Sequence, residues 1–282
     1  MDRLPFEFAN FTIGSISLKS IVNLREISSL WSSLASTHCQ KRRDVELEVQ
    51  LCQISNKCSY ILRSKYVEIA LNQLDRRYDR ITLIRVKASQ TLDLDSSVSF
   101  DSFLTSVLPI ALSFASQCRL NNSVAKGINY SFQQSFYRLL HKFAYCPDIR
   151  TFYHGKVCED FLLQKMDSGN LHSLHLQGQG WPNEFSEHIK RFASTSNFKY
   201  LNLRNSNLKL DLELVSLLLQ RWDDGDVKCI WFGGCPSFPI SDLEELYSQY
   251  TIKSGWEDRK DKRRFTTYQY TSGDFAFLGL SS

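Results

Sequence analysis

The chain of 282 residues has no long uninterrupted apolar run. Its longest apolar-rich stretch, residues 103–115, is broken by Thr105, Ser106, Pro109 and Ser113. It falls short of the ~18–20 apolar residues that a membrane-crossing helix needs. A core helix is expected there, and no membrane partner. The opening MDRLPFEFAN also lacks the apolar run of a secretory signal. Cysteine is present without pairing patterns: the eight thiols, at 39, 52, 58, 118, 146, 158, 229 and 235, include no CxxC. Without a secretory signal a disulfide framework has no supporting context. The expectation is an intracellular, reducing compartment, cytoplasmic or nuclear, in which the glycosylation tripeptides at Asn10 and Asn129 carry no meaning. An excess of one charge is missing too. The net charge of +4 and pI near 8.5 are too mild to argue for nucleic acid. What is present, 43% hydrophobic and 23% charged residues, is ordinary globular composition, which argues against wholesale disorder. The length suffices for one large domain or a small module plus a larger one.

Motifs of catalysis are also absent: the chain carries no GxSxG, P-loop or kinase set. Asp223-Asp224 sit in the turn sequence DDGD and read as solvated loop. His172 and His175 are ligand types, but their spacing on a strand sends them to different faces, and no CxxC or HExxH accompanies them. Gly178 and Gly180, in LQGQGWP, lack the third glycine and following helix of a dinucleotide loop, so they read as a turn leading to Trp181-Pro182. The cysteine pairs 52/58 and 229/235 read as small buried apolar residues. EDRKDKRR, 257–264, mixes both signs and reads as a solvated loop or hairpin rather than a nucleic-acid patch. The expectation is a non-enzymatic protein with no catalytic residue, metal or cofactor.

Near the start, LKSIVNLREISSLW places Leu18, Ile21, Leu24, Ile27 and Trp31 at steps of three or four, one stripe of a helix. VELEVQL, 45–51, alternates like a half-buried strand, and ITLIRV, 81–86, reads as another. Helices are expected at about 64–75, 101–118 and 122–143. From residue 149 the pattern changes. LHSLHLQGQG (171–180), FKYLNLRNSN (198–207) and VKCIWFGGCP (227–236) share an apolar-x-x-apolar-x-apolar core, with 27 and 29 residues between their first positions. Amphipathic segments at 184–194 and 211–222 fill the gaps, and 241–250 follows the last core. Strand, loop and helix at this period are the signature of a leucine-rich-repeat-like solenoid, in which each unit shares its apolar faces with its neighbours. Ile81-x-x-Ile84-x-Val86 and Ile149-x-x-Phe152 look like degenerate members. The asparagine usual after such a strand is missing from its place. Strand patterns at 265–271 and 275–280 are expected to close the open end of the sheet.

The amino-terminal segment resembles the F-box, a short three-helix module. Leu4-Pro5 is followed, 27 residues beyond Leu4, by Trp31, as in the family pattern. Ser17-Leu18-Lys19-Ser20-Ile21-Val22 falls where the family has Pro-Leu-Lys-Asp-Leu-Leu. Ser17, Ser20 and Arg25-Glu26 depart from that pattern. The continuation, and LELVSLLLQRWDDG before a later strand, also look like the large divergent F-box families of nematode type. The resemblance implies a Skp-type adaptor and a cullin scaffold as partners, with Leu4, Pro5, Leu18, Ile21, Leu24, Ile27 and Trp31 supplying both the small core and the docking patch. It further implies that the following domain grips a target protein for ubiquitination. A repeat-based interaction module without a ligase link is the alternative. The expected architecture is α+β or α/β: a helical module at 1–43 and an irregular leucine-rich-repeat-like strand–helix domain at 44–282.

Alternation along the three cores sends their fourth and sixth positions inward and the third, fifth and seventh outward. The outward set is Ser173, His175 and Gln177; Tyr200, Asn202 and Arg204; Cys229, Trp231 and Gly233. His175, Asn202 and Trp231 are expected in one row, flanked by Tyr200 and Arg204. These five form the expected substrate-binding surface, since Trp, Tyr and Arg are the residue types of binding hot spots.

Overall fold

The structure, a computed structural model, describes residues 6–16, 18–26, 29–90, 97–115, 117–125, 129–142, 145–195, 197–226, 229–239, 241–242, 263–269 and 275–281. The chain is mixed α/β and divides into two units, residues 1–123 with 131–146, and residues 124–130 with 147–282.

The first unit opens with α1 (Phe6–Ser15), α2 (Leu18–Leu24) and α3 (Ser29–Lys41). The single stripe expected from Leu18 to Trp31 is divided between two helices. A turn closed by Arg25 N–H to the Val22 carbonyl and Glu26 N–H to the Asn23 carbonyl ends α2. The division has a packing reason: Trp31, now on α3, folds back against Ile21 of α2, and both bury with Ala9, Ile13, Leu34 and Ala35. One straight helix cannot bury both halves of its own stripe against each other. Arg42 donates to the Ile16 carbonyl at 2.6 Å and ties the end of α1 to the chain entering the sheet.

That sheet runs β6 (Arg119–Asn122), β4 (Asp79–Ser89), β1 (Arg43–Cys52), β2 (Lys57–Ser64), β3 (Val67–Ile69), with β5 (Ser97–Ser99) also on β2. Neighbours are parallel from β6 to β1 and antiparallel beyond. Val45, Leu47, Val49 and Leu51 of β1 are buried. Glu46 and Glu48 face Arg85 and Lys87 of β4, with Glu48 to Lys87 at 2.8 Å. Phe103, in a π-helical stretch (Phe103–Val107) between α4 (Phe100–Ser102) and α5 (Leu108–Leu112), meets Tyr60 of β2. In α6 (Tyr130–His141), Gln133 and Tyr137 take both hydrogens of the buried Asn122 amide at 2.7 and 2.9 Å.

Three helix expectations change here. The segment expected as a helix over 64–75 is instead the end of β2, a turn at Lys65-Tyr66 with φ of 48° and 73°, β3 and one 3-10 turn. Val67-Glu68-Ile69 alternates at period two, and pairing with β2 satisfies its backbone. The helix expected over 101–118 covers 100–112. The one expected from 122 starts at 130, because Arg119–Asn122 is taken up by parallel pairing with β4.

The second unit alternates β7 (Asp148–Phe152), α7 (Lys156–Asp167), β8 (Ser173–Gln177), α8 (Phe185–Ala193), β9 (Tyr200–Asn202), β10 (Lys209–Leu210), α9 (Leu212–Asp223) and β11 (Cys229–Pro236), then ends in β12 (Arg263–Gln269) and β13 (Phe275–Ser281). The three repeat cores lie side by side and parallel, as expected, in the order β7-β8-β9-β11. β13 closes on β11 antiparallel, and β12 on β13. Leu174, Leu176, Leu201, Leu203, Ile230 and Phe232 point inward and are fully or almost fully buried. On the helices Phe185, Ile189, Phe192 and Val215, Leu218, Leu219, Trp222 recur at helical spacing and are buried too. Asp211 caps α9 by accepting from Leu214 N–H at 2.8 Å. After β9, Asn207 bridges to the turn that follows β8. Its side-chain oxygen accepts from Gly180 and Trp181 N–H, each at 3.0 Å, and its amide donates to the Trp181 carbonyl at 2.8 Å. At Gly178, with φ of 81°, a side chain has no room: a Cβ would stand 2.7 Å from Phe152. Of the expected helix at 241–250 only Ser241 and Asp242 are among the described residues, and 257–262 of the mixed-charge run also lie outside them; Arg263 and Arg264 begin β12. No helix among the described residues is long and apolar enough to cross a membrane.

Candidate functional site

The outward positions of β7, β8, β9 and β11 build one face. Register places Asp148, Ser173, Tyr200 and Trp231 in one row, and Arg150, His175, Asn202 and Gly233 in the next. This corrects the expected row of His175, Asn202 and Trp231. His175 and Asn202 are neighbours, but Trp231 stands opposite Tyr200, displaced by two residues. The inward and outward assignment survives because an even displacement keeps each side chain on its face. The cause lies at Gly233-Gly234. With no Cβ, Gly234 lets β11 slide against Leu203 and Leu210, whose side-chain atoms lie 3.0 and 3.2 Å from where a Cβ would stand. The strand then runs on to pair with β10 through Cys235 and Pro236.

The displacement brings the aromatics together. The Tyr200 and Trp231 rings stack at 4.3 Å between centroids and 10° between planes, and the Arg204 guanidinium lies 5.4 Å from the Trp231 ring centre. Both aromatics remain half-buried, so neither is lost to the core. Asn202 is different, at 1% exposed. Its Oδ1 accepts from the Arg204 backbone N–H at 3.0 Å and from Arg204 Nε at 3.4 Å, while its Nδ2 donates to Tyr200 Oη at 3.3 Å. Asn202 therefore positions two contact residues and does not itself present a surface.

His175 is half-buried and paired across the strands with Arg150. Burial first, then Arg150 and Arg204, push its imidazole down to about 4, so it is neutral at pH 7. Arg150 is exposed and donates from Nε to Gln177 Oε1 at 3.3 Å. The sequence pattern does not reveal its part in this face: matching Ile149-x-x-Phe152 to the cores sets Phe152 beside Leu174, whereas Ile149 stands there and Phe152 pairs with Gln177. The alternation of buried Ile149, exposed Arg150 and buried Thr151 is the signal that marks it.

At the amino terminus, Ile21 and Trp31 lie in the interior and Leu24 packs half-buried against them. Leu18 opens α2; Leu4, Pro5 and Ile27 lie outside the described residues. Among the described side chains of these helices, the large apolar ones left on the surface are Phe6, Phe8 and Val22, at 55%, 53% and 47% exposed.

All eight cysteines are free; Cys52 and Cys58 are buried as expected, whereas Cys229 is exposed. Burial alone pushes the Cys58 thiol up to about 12, which leaves it an inert packing group. Among the described residues no group of three His, Cys, Asp or Glu side chains is placed to hold a metal ion. What the face offers chemically is two fixed positive charges beside a flat aromatic shelf, an arrangement for binding. No family model matches the chain, and no curated protein matches it significantly.

Proposed function

We propose that this chain is a non-enzymatic substrate-recognition subunit of a cullin-type ubiquitin ligase. Its amino-terminal helices bind a Skp-type adaptor, and the outward face of its repeat strands binds a target protein. Ubiquitin transfer belongs to the partners; this subunit contributes proximity, holding the target at high effective concentration. The observation that carries the reading is the amino-terminal cluster. Three short helices close on Trp31, at the Leu4-to-Trp31 spacing of the F-box pattern, while Phe6, Phe8 and Val22 remain on the surface. Three large exposed apolar side chains on so small a helical unit support an interaction site there. The leucine-rich-repeat-like run from β7 to β11, with Tyr200, Trp231 and Arg204 outward, supports the target-binding half.

The test is co-expression of the full chain with a Skp-type adaptor, followed by affinity purification and size-exclusion chromatography. The wild type is expected to carry the adaptor at one to one. Val22→Asp, on an exposed position that no core contact needs, is expected to remove the adaptor without changing the far-ultraviolet circular dichroism. A wild-type chain that elutes alone refutes the ligase link and leaves a repeat-based interaction module.

A further inference from the structure

The outward face of the second unit carries a charge pattern specific enough to name its ligand, on the reading that this face grips the target. We propose that it recognises an acidic peptide segment in which side-chain carboxylates pair with Arg150 and Arg204 while a neighbouring apolar side chain lies on the Tyr200–Trp231 shelf. The argument is charge complementarity on a fixed geometry. On β7, β8, β9 and the turn after it, and β11, the charged residues at outward positions are Arg150, Arg204 and Asp148, and Asp148 stands in the Tyr200–Trp231 row rather than in the row of Arg150. Arg150 is paired with His175, His175 with Asn202, and Arg204 Nε reaches Asn202 Oδ1, so the two arginines lie along one row within reach of a single short peptide. The Arg204 guanidinium lies 5.4 Å from the Trp231 ring centre, so a carboxylate paired with it stands beside the aromatic shelf. A guanidinium is a planar fork of donors, which matches a planar carboxylate. His175, beside Arg150, is neutral at pH 7, so these strands offer the two guanidiniums as their positive charges. Two monoanionic carboxylates meet that count, whereas a phosphate dianion concentrates its charge at one point. The stacked rings, held by Asn202, are preorganised, so little side-chain freedom is lost when an apolar group settles on them.

The test uses the full chain and fluorescein-labelled peptides of alternating Glu and Leu, Gln and Leu, or phosphoserine and Leu, read by fluorescence polarisation. The Glu peptide is expected to bind, and the Gln peptide to bind at least about tenfold more weakly, a difference of ~1.4 kcal/mol. Arg150→Gln and Arg204→Gln are each expected to weaken the Glu peptide by about tenfold or more. Arg191→Gln, which removes a positive charge from α8, is expected to leave it unchanged. Saturation with the Glu peptide is also expected to raise the midpoint at which the His175 imidazole titrates by nuclear magnetic resonance, because bound carboxylates neutralise the two guanidiniums that disfavour its protonation. Equal binding of Glu and Gln peptides, no binding of either, tighter binding of the phosphoserine peptide, or an equal loss in Arg191→Gln would each overturn the proposal. The result is separable from the ligase reading: peptide binding without adaptor co-purification refutes only the ligase link, and adaptor co-purification without peptide binding refutes only this inference.

Discussion

Replacing Asn202 by alanine tests whether the contact residues of the face are positioned from beneath. In the folded chain its side chain satisfies the Arg204 backbone N–H at 3.0 Å, a longer contact to Arg204 Nε at 3.4 Å and Tyr200 Oη at 3.3 Å. Alanine leaves the part-buried N–H without its acceptor, at a cost of about 1–2 kcal/mol, and loses a long, weak bond to Tyr200 that adds roughly 0.5 kcal/mol. A total near 2 kcal/mol lowers the urea midpoint by roughly 0.7–1 M for a slope of about 2–3 kcal/mol/M. Asn202→Asp is the control, because it keeps the acceptor facing Arg204 and lets the Tyr200 hydroxyl turn and donate. It should stay within ~0.5 kcal/mol of the wild type. The stacked Tyr200 and Trp231 rings, 4.3 Å apart, provide a second readout, since coupled aromatics at that distance give a near-ultraviolet circular dichroism signal. Asn202→Ala should reduce that signal and Asn202→Asp should retain it. If alanine is as stable as asparagine, or if aspartate loses as much as alanine, then Oδ1 acceptance is not what holds Arg204 and the reasoning fails.

Gly178→Ala meets both a φ of 81° and the Phe152 ring 2.7 Å from the new Cβ. A loss of about 2–4 kcal/mol is expected by urea unfolding, from left-handed backbone strain plus overpacking, and a loss below 1 kcal/mol would mean that the turn relaxes freely. The pH dependence of stability should carry the mark of His154, 2% exposed, whose imidazole burial pushes down from 6.5 to about 4. The unfolded chain binds that proton first, so stability is whole above pH 6.5 and falls as the pH drops towards 4, by about 2 kcal/mol between pH 7 and 5 from this group. His175 shifts in the same direction. His154→Asn should flatten the fall between pH 7 and 5, and an unchanged slope in that variant would exclude His154 as its source.

The second unit was legible because its signal is written twice. Leu174 and Leu176, Leu201 and Leu203, Ile230 and Phe232 alternate inward on their strands, and the helices between them repeat their own stripe, so period and spacing agree. The register of β11 was not legible in the same way. Aligning the cores put Ile230 beside Leu201, whereas Phe232 stands there, and only the space left by Gly234 decides between the two. The first unit misled where local periodicity was weak. SKYVEIALNQLD fits a helix as readily as a strand, and the partner that settles it, β2, precedes it in the chain and offers a free edge. Arg150 was missed because the two-residue match Ile149-x-x-Phe152 sets Phe152 beside Leu174, and only the pairing of β7 with β8 shows that Ile149 stands there and Arg150 faces His175.

Two tryptophans sit in apolar patterns of this sequence and meet opposite fates. The difference decides where partners can bind. Trp31 follows a helix that stops seven residues after it begins, so the chain turns and the indole is drawn into the space between α1, α2 and α3, at 6% exposed. Trp231 sits on a strand whose inward positions are already filled by Ile230 and Phe232, so alternation sends it out, where Tyr200 and Arg204 cover part of it. An adaptor that docks on the amino-terminal helices therefore meets Phe6, Phe8 and Val22, and feels Trp31 only through the shape it gives the cluster. A target on the sheet meets Trp231 directly. Loss of Trp31 should act through unfolding of the helices, and loss of Trp231 through binding with the fold intact; this asymmetry follows from which side of each element was already full.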